Sequence, residues 1–289
     1  MNHSENRKYT FSGHESFPCK LLWLKKGYDF VRLGKDFNAD NAVVDLGVGK
    51  NMVSAIRYWM RAFGLSSNKE TEWIADYLFD SQNGKDCYLE DLGTLWLLHF
   101  LLVYSEEATL YKLFFIDFQK ERRQFDRNQI SSFVKRKMTE AGKFTLYNEN
   151  TVKKDVGVLL QNYCLPRKPQ SNEDFSTLLM DLDLLRQKED GKDYYFNIDG
   201  KRQVTPEIFL FALLMTMDEA DRSVSYDVLQ ELGLVFCMTD LEVIDMLKTL
   251  AEQYSKSIVY SDVAGIRQLQ FVVKMDSKEV LDNYYDAND

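Results

Sequence analysis

The stretch from Val43 to Trp59, VVDLGVGKNMVSAIRYW, has the pattern of a helix-turn-helix. It begins with small apolar residues of a first helix, and Gly47 follows at the point where a turn requires a residue that tolerates positive φ. Val53 comes six residues after Gly47 and is placed to pack a second helix back onto the first, together with Val48 and Ile56. The pattern therefore predicts two short helices joined by a tight turn.

The second of these helices carries a basic stripe. At 100° per residue, Lys50, Arg57 and Arg61 fall within about 20° of one direction, and Ser54 lies close by. Arginine contacts guanine edges in a major groove, while Asn51 or Ser54 suits other bases or a phosphate. The stripe predicts a DNA-recognition helix. A solvated helix face gives the same pattern and stays open as the alternative.

A second basic cluster follows later in the chain. Phe118 and Phe125 lie among its cations, and this composition suits contacts with a phosphate backbone, which depend on charge more than on geometry. A charged loop between two helices is an equally good interpretation. The predicted DNA-contacting residues of this cluster are Lys120, Arg122, Arg123 and Arg127.

The charge of the chain is unevenly distributed. The whole sequence has 36 Lys and Arg against 45 Asp and Glu, a net charge of −9. Residues 1–66 have 10 basic against 6 acidic residues, and residues 111–154 have 11 against 5. Residues 155–289 have 13 against 25, which repels a polyanion. We therefore expect duplex DNA to be a partner of the N-terminal part, and a protein to be the partner of the C-terminal part.

The order of predicted elements indicates a mainly α-helical protein with a small β-hairpin. Residues 1–165 form a helical domain that contains the helix-turn-helix, with the wholly apolar stretch Leu92 to Tyr104 as its central helix. Residues 166–202 form a connector with a possible hairpin. Residues 203–289 give three helices followed by two strands, the order expected of a winged-helix-like domain.

Several function classes lack support in the sequence. The run from Gly47 to Lys50 has neither the spacing of a Walker motif nor its hydroxyl, because Asn51 stands where Ser or Thr is needed. The four cysteines lie far apart and no cluster has the spacing of metal ligands, so we predict no metal and no cofactor. No apolar run is long enough to span a bilayer. We expect a cytoplasmic protein without membrane contact.

The segment FSGHESF contains the chain's one His-acid pair, His14 and Glu15. A capping network with Ser12 and Ser16 explains this pair better than a catalytic site, so no catalytic residue is assigned. Cys19, which follows Pro18 at a predicted helix start, is the cysteine closest to an activating environment. We expect it to be an ordinary or a buried thiol.

Three segments carry a resemblance to a known family: FSGHESFPCKLLWLKKGYDFV, AVVDLGVGKNMVSAIRYWMRAFGL and YLEDLGTLWLLHFLL. They resemble an uncharacterised prokaryotic family, catalogued as a domain of unknown function. Its genes lie beside PAPS-reductase-like proteins of DNA phosphorothioation and phage-defence islands. The resemblance implies a DNA-modification or defence context and supplies no catalytic residues. The positions that match its motifs are His14, Glu15, Gly47, Gly49, Lys50 and Asn51.

These observations favour a DNA-binding accessory protein of a DNA-modification or phage-defence system, with a protein partner from the same cassette. Two alternatives remain. The first is a protein-interaction scaffold without DNA contact, and the second is an enzyme of unknown chemistry around His14 and Glu15.

Overall fold

Helices predominate in the computed structural model, which describes residues 9–67, 70–165, 177–199, 204–218, 220–263 and 266–288. Small antiparallel sheets accompany them, so the fold is mixed rather than purely helical. The chain divides into two compact units, residues 1–197 and 198–289. The sequence-based division at 165, 166–202 and 203 stays a prediction, because residues 166–176 and 200–203 lie outside the described ranges.

The first unit is built mainly from helices. A π-helical turn, Leu113–Phe118, connects the sixth helix to the seventh, and single 3-10 turns occur at Phe144–Leu146 and Met180–Leu182. The helices are α1 (Trp23–Arg32), α2 (Ala42–Leu46), α3 (Lys50–Ala62), α4 (Trp73–Phe79), α5 (Leu92–Tyr104), α6 (Thr109–Lys112), α7 (Gln119–Glu121), α8 (Arg127–Glu140) and α9 (Glu149–Tyr163).

Helix α5 is the buried helix that the sequence predicts, with the predicted bounds. Its residues are apolar on every side, so it gains from burial around its whole circumference. Asp91 caps its first turn by accepting the N–H of Thr94 at 2.9 Å. His99 lies fully inside and its Nδ1 is 2.8 Å from the hydroxyl of Tyr163, which explains how an imidazole is accommodated in this helix.

Two small sheets complete the first unit. Strands β1 (Ser66–Ser67) and β2 (Glu70–Thr71) pair with each other. Strands β3 (Gln124–Phe125), β4 (Leu185–Gln187) and β5 (Tyr194–Phe196) form an antiparallel sheet in the order β3-β5-β4. Strands β4 and β5 form a hairpin whose turn lies before Tyr194, whereas the sequence favours a hairpin over residues 191–204, of which 200–203 lie outside the described ranges; β3 joins the observed hairpin to the helical part. This pairing explains why the first compact unit reaches residue 197 rather than ending near 165.

In its described residues, the second unit combines four helices with a three-stranded antiparallel sheet of order β6-β8-β7. Strand β6 was not predicted, because only Val224 in it is buried and its conformation depends on pairing with β8. The elements of this unit are α10 (Pro206–Thr216), β6 (Ser223–Ser225), α11 (Tyr226–Val235), α12 (Asp240–Gln253), β7 (Ile258–Val263), β8 (Ile266–Phe271) and α13 (Ser277–Asn288).

Candidate nucleic-acid interface and motif loop

Helices α2 and α3 are joined by a three-residue connection that Gly47 makes possible. Its φ of 63° and ψ of 36° lie in the left-handed region, where a Cβ is disfavoured. The N–H of Val48 donates to the carbonyl of Val43 at 3.2 Å and closes the end of α2. Gly49 is extended and precedes the first turn of α3. The connection therefore reverses the chain within three residues.

A small apolar core holds these helices to α1. Its buried members include Phe30 of α1, Leu46 of α2 and Val53 of α3, and Phe37 and Val48 pack against them. The predicted role of Val53 in packing α3 onto α2 agrees with this cluster. The exposed side of α3 is thus held at a fixed orientation by contacts on its opposite side.

The predicted basic stripe of α3 divides into two parts. Lys50, Asn51 and Ser54 are exposed in its N-terminal half. Arg57 and Arg61 are half-buried toward its C-terminal end. The first three side chains are free to meet a large partner, whereas the two arginines are already engaged with the protein.

The contacts of the two arginines are specific. Nη1 of Arg57 donates to Oδ1 of Asn38 at 2.7 Å. Nη2 of Arg61 lies 3.6 Å from a carboxylate oxygen of Glu107, beyond hydrogen-bond distance. Both guanidinium groups line a small pocket beside α3.

The second predicted cluster lies around the junction of α7, β3 and α8, apart from α3 in the sequence. Lys120, Arg122, Arg123 and Arg127 are all exposed there. The backbone of Arg123 is fixed by the sheet, because its carbonyl accepts the N–H of Phe196 at 3.0 Å. The cluster is therefore a surface feature on an ordered support.

The two phenylalanines of this cluster do not share its exposure. Phe118 and Phe125 are each only 1% exposed, with ring centroids 5.4 Å apart in an edge-to-face arrangement. They pack with Phe114 and Phe196 in an aromatic core. The two rings therefore belong to the core that supports the cluster, and the exposed surface of the cluster is formed by its cations.

The motif loop, residues 12–16, has an unusual backbone. Ser12, Gly13, Glu15 and Ser16 have φ values of 72°, 108°, 49° and 65°. Left-handed φ at non-glycine residues is uncommon and strained, so other contacts must stabilise this conformation. These contacts come from two helices distant in sequence, α3 and α9.

His14 provides the main contact with α9. Its ring is 4% exposed, and Nε2 lies 2.9 Å from Oδ1 of Asp155. Nδ1 accepts the N–H of Ser16 at 3.1 Å, so the hydrogen of the neutral imidazole is on Nε2 and is donated to Asp155. The other oxygen of Asp155 accepts the N–H of Ser12 at 2.9 Å. Both ring nitrogens and both carboxylate oxygens are thus engaged.

Helix α3 supplies the other wall of the motif loop. The His14 ring stacks nearly parallel to Trp59, with centroids 6.2 Å apart, and meets the edge of Tyr58 at 5.7 Å. A Cβ built on Gly13 would lie 2.5 Å from the Tyr58 ring, which explains the glycine. Glu15 is exposed and does not join His14 in one site. His14 thus stabilises the loop through Asp155 and Ser16 and does not cap a helix, because α1 begins only at Trp23 and has no side-chain cap.

Sequence reasoning missed the partners of the motif loop on α9. Asp155 and Asn162 are seven residues apart and therefore share a helix face with the buried residues Val152 and Leu159. Two polar residues on an apolar helix face are a recognisable signal of a buried hydrogen-bond network. Nothing in the sequence, however, says that residues 12–19 are the partners.

Cys19 is a buried structural residue. Its backbone N–H donates to Oδ1 of Asn162 at 2.9 Å, and the Asn162 amide donates to the hydroxyl of Tyr111 at 2.6 Å. Burial raises the pKa of the Cys19 thiol well above its ordinary value, because the thiolate would be poorly solvated there. The expectation of a buried, unactivated thiol agrees with this environment.

The second unit presents a different kind of surface. The exposed side of α12 carries Leu241, Asp245, Lys248 and Glu252, with more acidic than basic groups. At the end of the β7–β8 hairpin, Val263 is 68% and Ile266 69% exposed. Apolar and acidic groups are exposed together, a composition that suits a protein partner better than DNA.

The chain belongs to the family described as protein of unknown function (DUF4007), whose profile matches residues 11–285. Among solved structures it is similar to magnesium ion-bound SspB, with a TM-score of 0.83 and 27% identity over 96% of this chain and 88% of that one. A second crystal structure of SspB gives a TM-score of 0.83 and 26% identity, covering 98% of this chain and 90% of that one. No curated protein matches the chain.

Two further observations concern the described residues. They contain no group of three or more His, Cys, Asp or Glu side chains placed to hold a metal ion. None of the helices in the described ranges is long and apolar enough to cross a membrane.

Proposed function

We propose that this protein is a DNA-binding accessory protein of a DNA-modification or phage-defence system, in which α2 and α3 act as a helix-turn-helix. The observation that carries this proposal is the placement of Lys50, Asn51 and Ser54. They are exposed in the first half of α3, directly after the Gly47 turn. In helix-turn-helix proteins, the N-terminal residues of the second helix contact base edges in the major groove.

The chemistry of these side chains fits the role. Lysine contacts guanine or a phosphate, and asparagine pairs with adenine through two hydrogen bonds. Serine contacts either a base or the backbone. The exposed second cluster, Arg122 and Arg123 foremost, supplies further positive charge for phosphates.

The comparisons support the cellular context of this proposal. Family membership spans nearly the whole chain, and the motif resemblance implies a setting of DNA phosphorothioation and phage defence. The likeness to SspB also covers both units. A conserved architecture of this extent supports a related role for the two proteins.

For the second unit we propose a winged-helix-like module that binds a protein of the same cassette. The order α10-β6-α11-α12-β7-β8, with sheet order β6-β8-β7, supports the winged-helix interpretation. Helix α12 would be the reading helix of such a module, yet its exposed Asp245 and Glu252 repel a phosphate backbone. The exposed apolar end of the β7–β8 hairpin supports a protein partner instead.

Fluorescence anisotropy of a labelled duplex tests the DNA-binding proposal. We expect micromolar affinity at about 50 mM salt and much weaker binding at about 200 mM, as counterion release requires. Replacing Lys50 and Ser54 together by alanine should weaken binding several-fold without loss of structure, because both side chains are exposed. Lys278→Ala is the matched control, since Lys278 is an exposed lysine of α13 paired with Asp282. Equal binding by the double variant and wild type would rule out α3 as the reading helix.

One experiment tests the enzyme alternative directly, and it includes magnesium because one of the SspB structures contains this ion. Supercoiled plasmid is incubated with the protein in the presence of either Mg²⁺ or EDTA, and strand cleavage is measured in both reactions. Both ring nitrogens of His14 are already hydrogen-bonded within the protein, so we expect the plasmid to stay intact in both reactions. Magnesium-dependent nicking that a Glu15→Ala variant loses would favour the enzyme instead.

A further inference from the structure

A small pocket lies beside α3, between the segment that follows α1 and strand β1. Its volume is about 30 Å³, enough for one or two oxygen-sized atoms. Apolar side chains of Val31 and Phe37 form part of its wall. The polar residues that line it are Lys35, Asp36, Asn38, Arg57, Arg61 and Ser66.

Positive charge predominates in this pocket. Three cations face one carboxylate, that of Asp36, which accepts hydrogen bonds from the backbone N–H of Asn38 at 2.9 Å and from its amide at 3.0 Å. Asn38 in turn accepts from Arg57 at 2.7 Å and holds that guanidinium at the pocket. Lys35 also forms an ion pair with Asp45, in which Nζ lies 3.2 Å from Oδ1. Since Asp45 and Glu107 already pair with Lys35 and Arg61, the positive charge left for an anion is mainly that of Arg57, which an amide oxygen holds in place.

One donor of the pocket has no acceptor among the described residues. The Nε–H of Arg61 is buried and makes no hydrogen bond there. Glu107 stands 3.6 Å from the Nη2 group and leaves Nε–H unpaired. A buried donor without an acceptor is unfavourable, so such groups are rare unless a ligand or a water molecule uses them.

We propose that this pocket binds one phosphate group, whose oxygens accept from Arg57 and Arg61. Its small volume admits the end of a phosphate and excludes a nucleoside. The biological source rests on the proposed function: a backbone phosphate of bound DNA. Arg57 lies about 10 Å along α3 from Lys50, at 1.5 Å per residue, so one duplex has both within reach. In this assignment the exposed end of α3 reads bases and the pocket fixes the register of the backbone.

Inorganic phosphate is the first probe. Thermal unfolding of the full chain is measured in phosphate and in chloride at equal ionic strength. We expect phosphate to raise the Tm of wild type by a few degrees through binding to the native state. Arg57→Gln and Arg61→Gln, tested singly, should each abolish this difference, while Lys50→Ala should retain it. Equal Tm values for wild type in both salts would overturn the proposal.

Duplex binding distinguishes the source of the phosphate and separates the two proposals. If the pocket holds a DNA phosphate, Arg57→Gln should weaken duplex binding about tenfold, and inorganic phosphate should compete with the duplex. If phosphate stabilises wild type but Arg57→Gln binds duplex normally, the pocket takes a free phosphate or phosphomonoester and the DNA assignment is wrong. If wild type shows no phosphate effect while Lys50 and Ser54 still matter for DNA, the pocket proposal fails and the proposed function survives.

Discussion

The most heavily connected residue of the motif loop is Asp155. Its two oxygens collect the Ser12 N–H and the Nε2–H of His14, and so fix a backbone in which four residues are left-handed. The conformation is disfavoured for the three non-glycine residues, and the hydrogen bonds to the carboxylate help to offset this cost. The loop in turn holds the His14 ring in a stacked arrangement with Trp59 of α3. The orientation of α3 therefore depends on a side chain far from its exposed face.

We predict that Asp155→Ala destabilises the protein by roughly 3 kcal/mol, because two buried donors lose their acceptor. Glu15→Ala is the control within the same motif, and its exposed side chain should change stability by less than about 0.5 kcal/mol. Urea unfolding followed by circular dichroism measures both. Equal effects of the two substitutions would contradict the role given to Asp155.

Because several thiols and phenols are buried, we predict that the protein loses stability at alkaline pH. Burial raises the pKa of Cys164 to about 12 and raises the pKa values of Cys19, Tyr58 and Tyr111 well above their ordinary ranges. These groups stay neutral in the folded protein but ionise in the unfolded chain. The free energy of unfolding is therefore fully retained below pH ~8.5 and falls as pH rises above the ordinary thiol and phenol pKa values.

Urea titrations at pH values near 7.5 and 10 measure this decline. Iodoacetamide labelling at neutral pH gives a second readout, in which the half-buried Cys87 should react before Cys19, Cys164 and Cys237. Fast labelling of Cys19 in the folded protein would contradict its assignment as a buried thiol.

At the scale of elements, helix packing determines where a glycine is required. Gly157 in α9 and Gly233 in α11 are both helical, and the sequence gives no reason to treat them differently. A Cβ on Gly157 meets nothing within 4 Å, whereas a Cβ on Gly233 lies 2.4 Å from Cγ2 of Val243 in α12. Of these two glycines, Gly233 is the one needed for its helix to approach a neighbour closely.

We therefore predict opposite effects of the same substitution. Gly157→Ala should stabilise the protein by about 0.5–1 kcal/mol, since alanine has the higher helix propensity. Gly233→Ala should destabilise it by roughly 1–3 kcal/mol, because the branched side chain of Val243 has little freedom to move. Thermal unfolding of both variants and wild type measures these changes in stability. A Gly233→Ala variant more stable than wild type would contradict the packing of α11 on α12.

At the scale of the whole molecule, charge separates the two units. Residues 198–289 contain 8 Lys and Arg against 17 Asp and Glu, whereas the predicted DNA-contacting residues all belong to the first unit. Such an acidic surface repels DNA and suits contact with a protein partner, in line with the roles proposed for the two units. The exposed hairpin end at Val263 and Ile266 gives such a partner apolar surface.

We predict that a fragment of residues 198–289 with a folded circular dichroism spectrum binds no duplex DNA at physiological salt. The full chain in the same anisotropy assay is the positive control. Measurable affinity of the fragment would contradict the division of roles between the units and make the winged-helix-like module a second DNA reader.

Local sequence patterns were sufficient to predict several helices and the candidate surface of this protein. An unbroken apolar stretch predicted α5, and Gly47 marked the turn before α3. These features follow from interactions within a few residues, and a linear pattern records them directly. The exposure of Lys50, Asn51 and Ser54 follows from the same helical periodicity.

Only the tertiary structure decided which distant residues meet. His14 and Asp155 are 141 positions apart, and the sequence pattern of neither identifies the other. Phe118 and Phe125 have the composition of a surface cluster but pack in the aromatic core, because β3 pairs with β5. Arg57 and Arg61 share a helical stripe with Lys50, yet Asn38 and the pocket hold them apart from its exposed end. Long-range pairing depends on the complementarity of whole surfaces, which local periodicity does not encode.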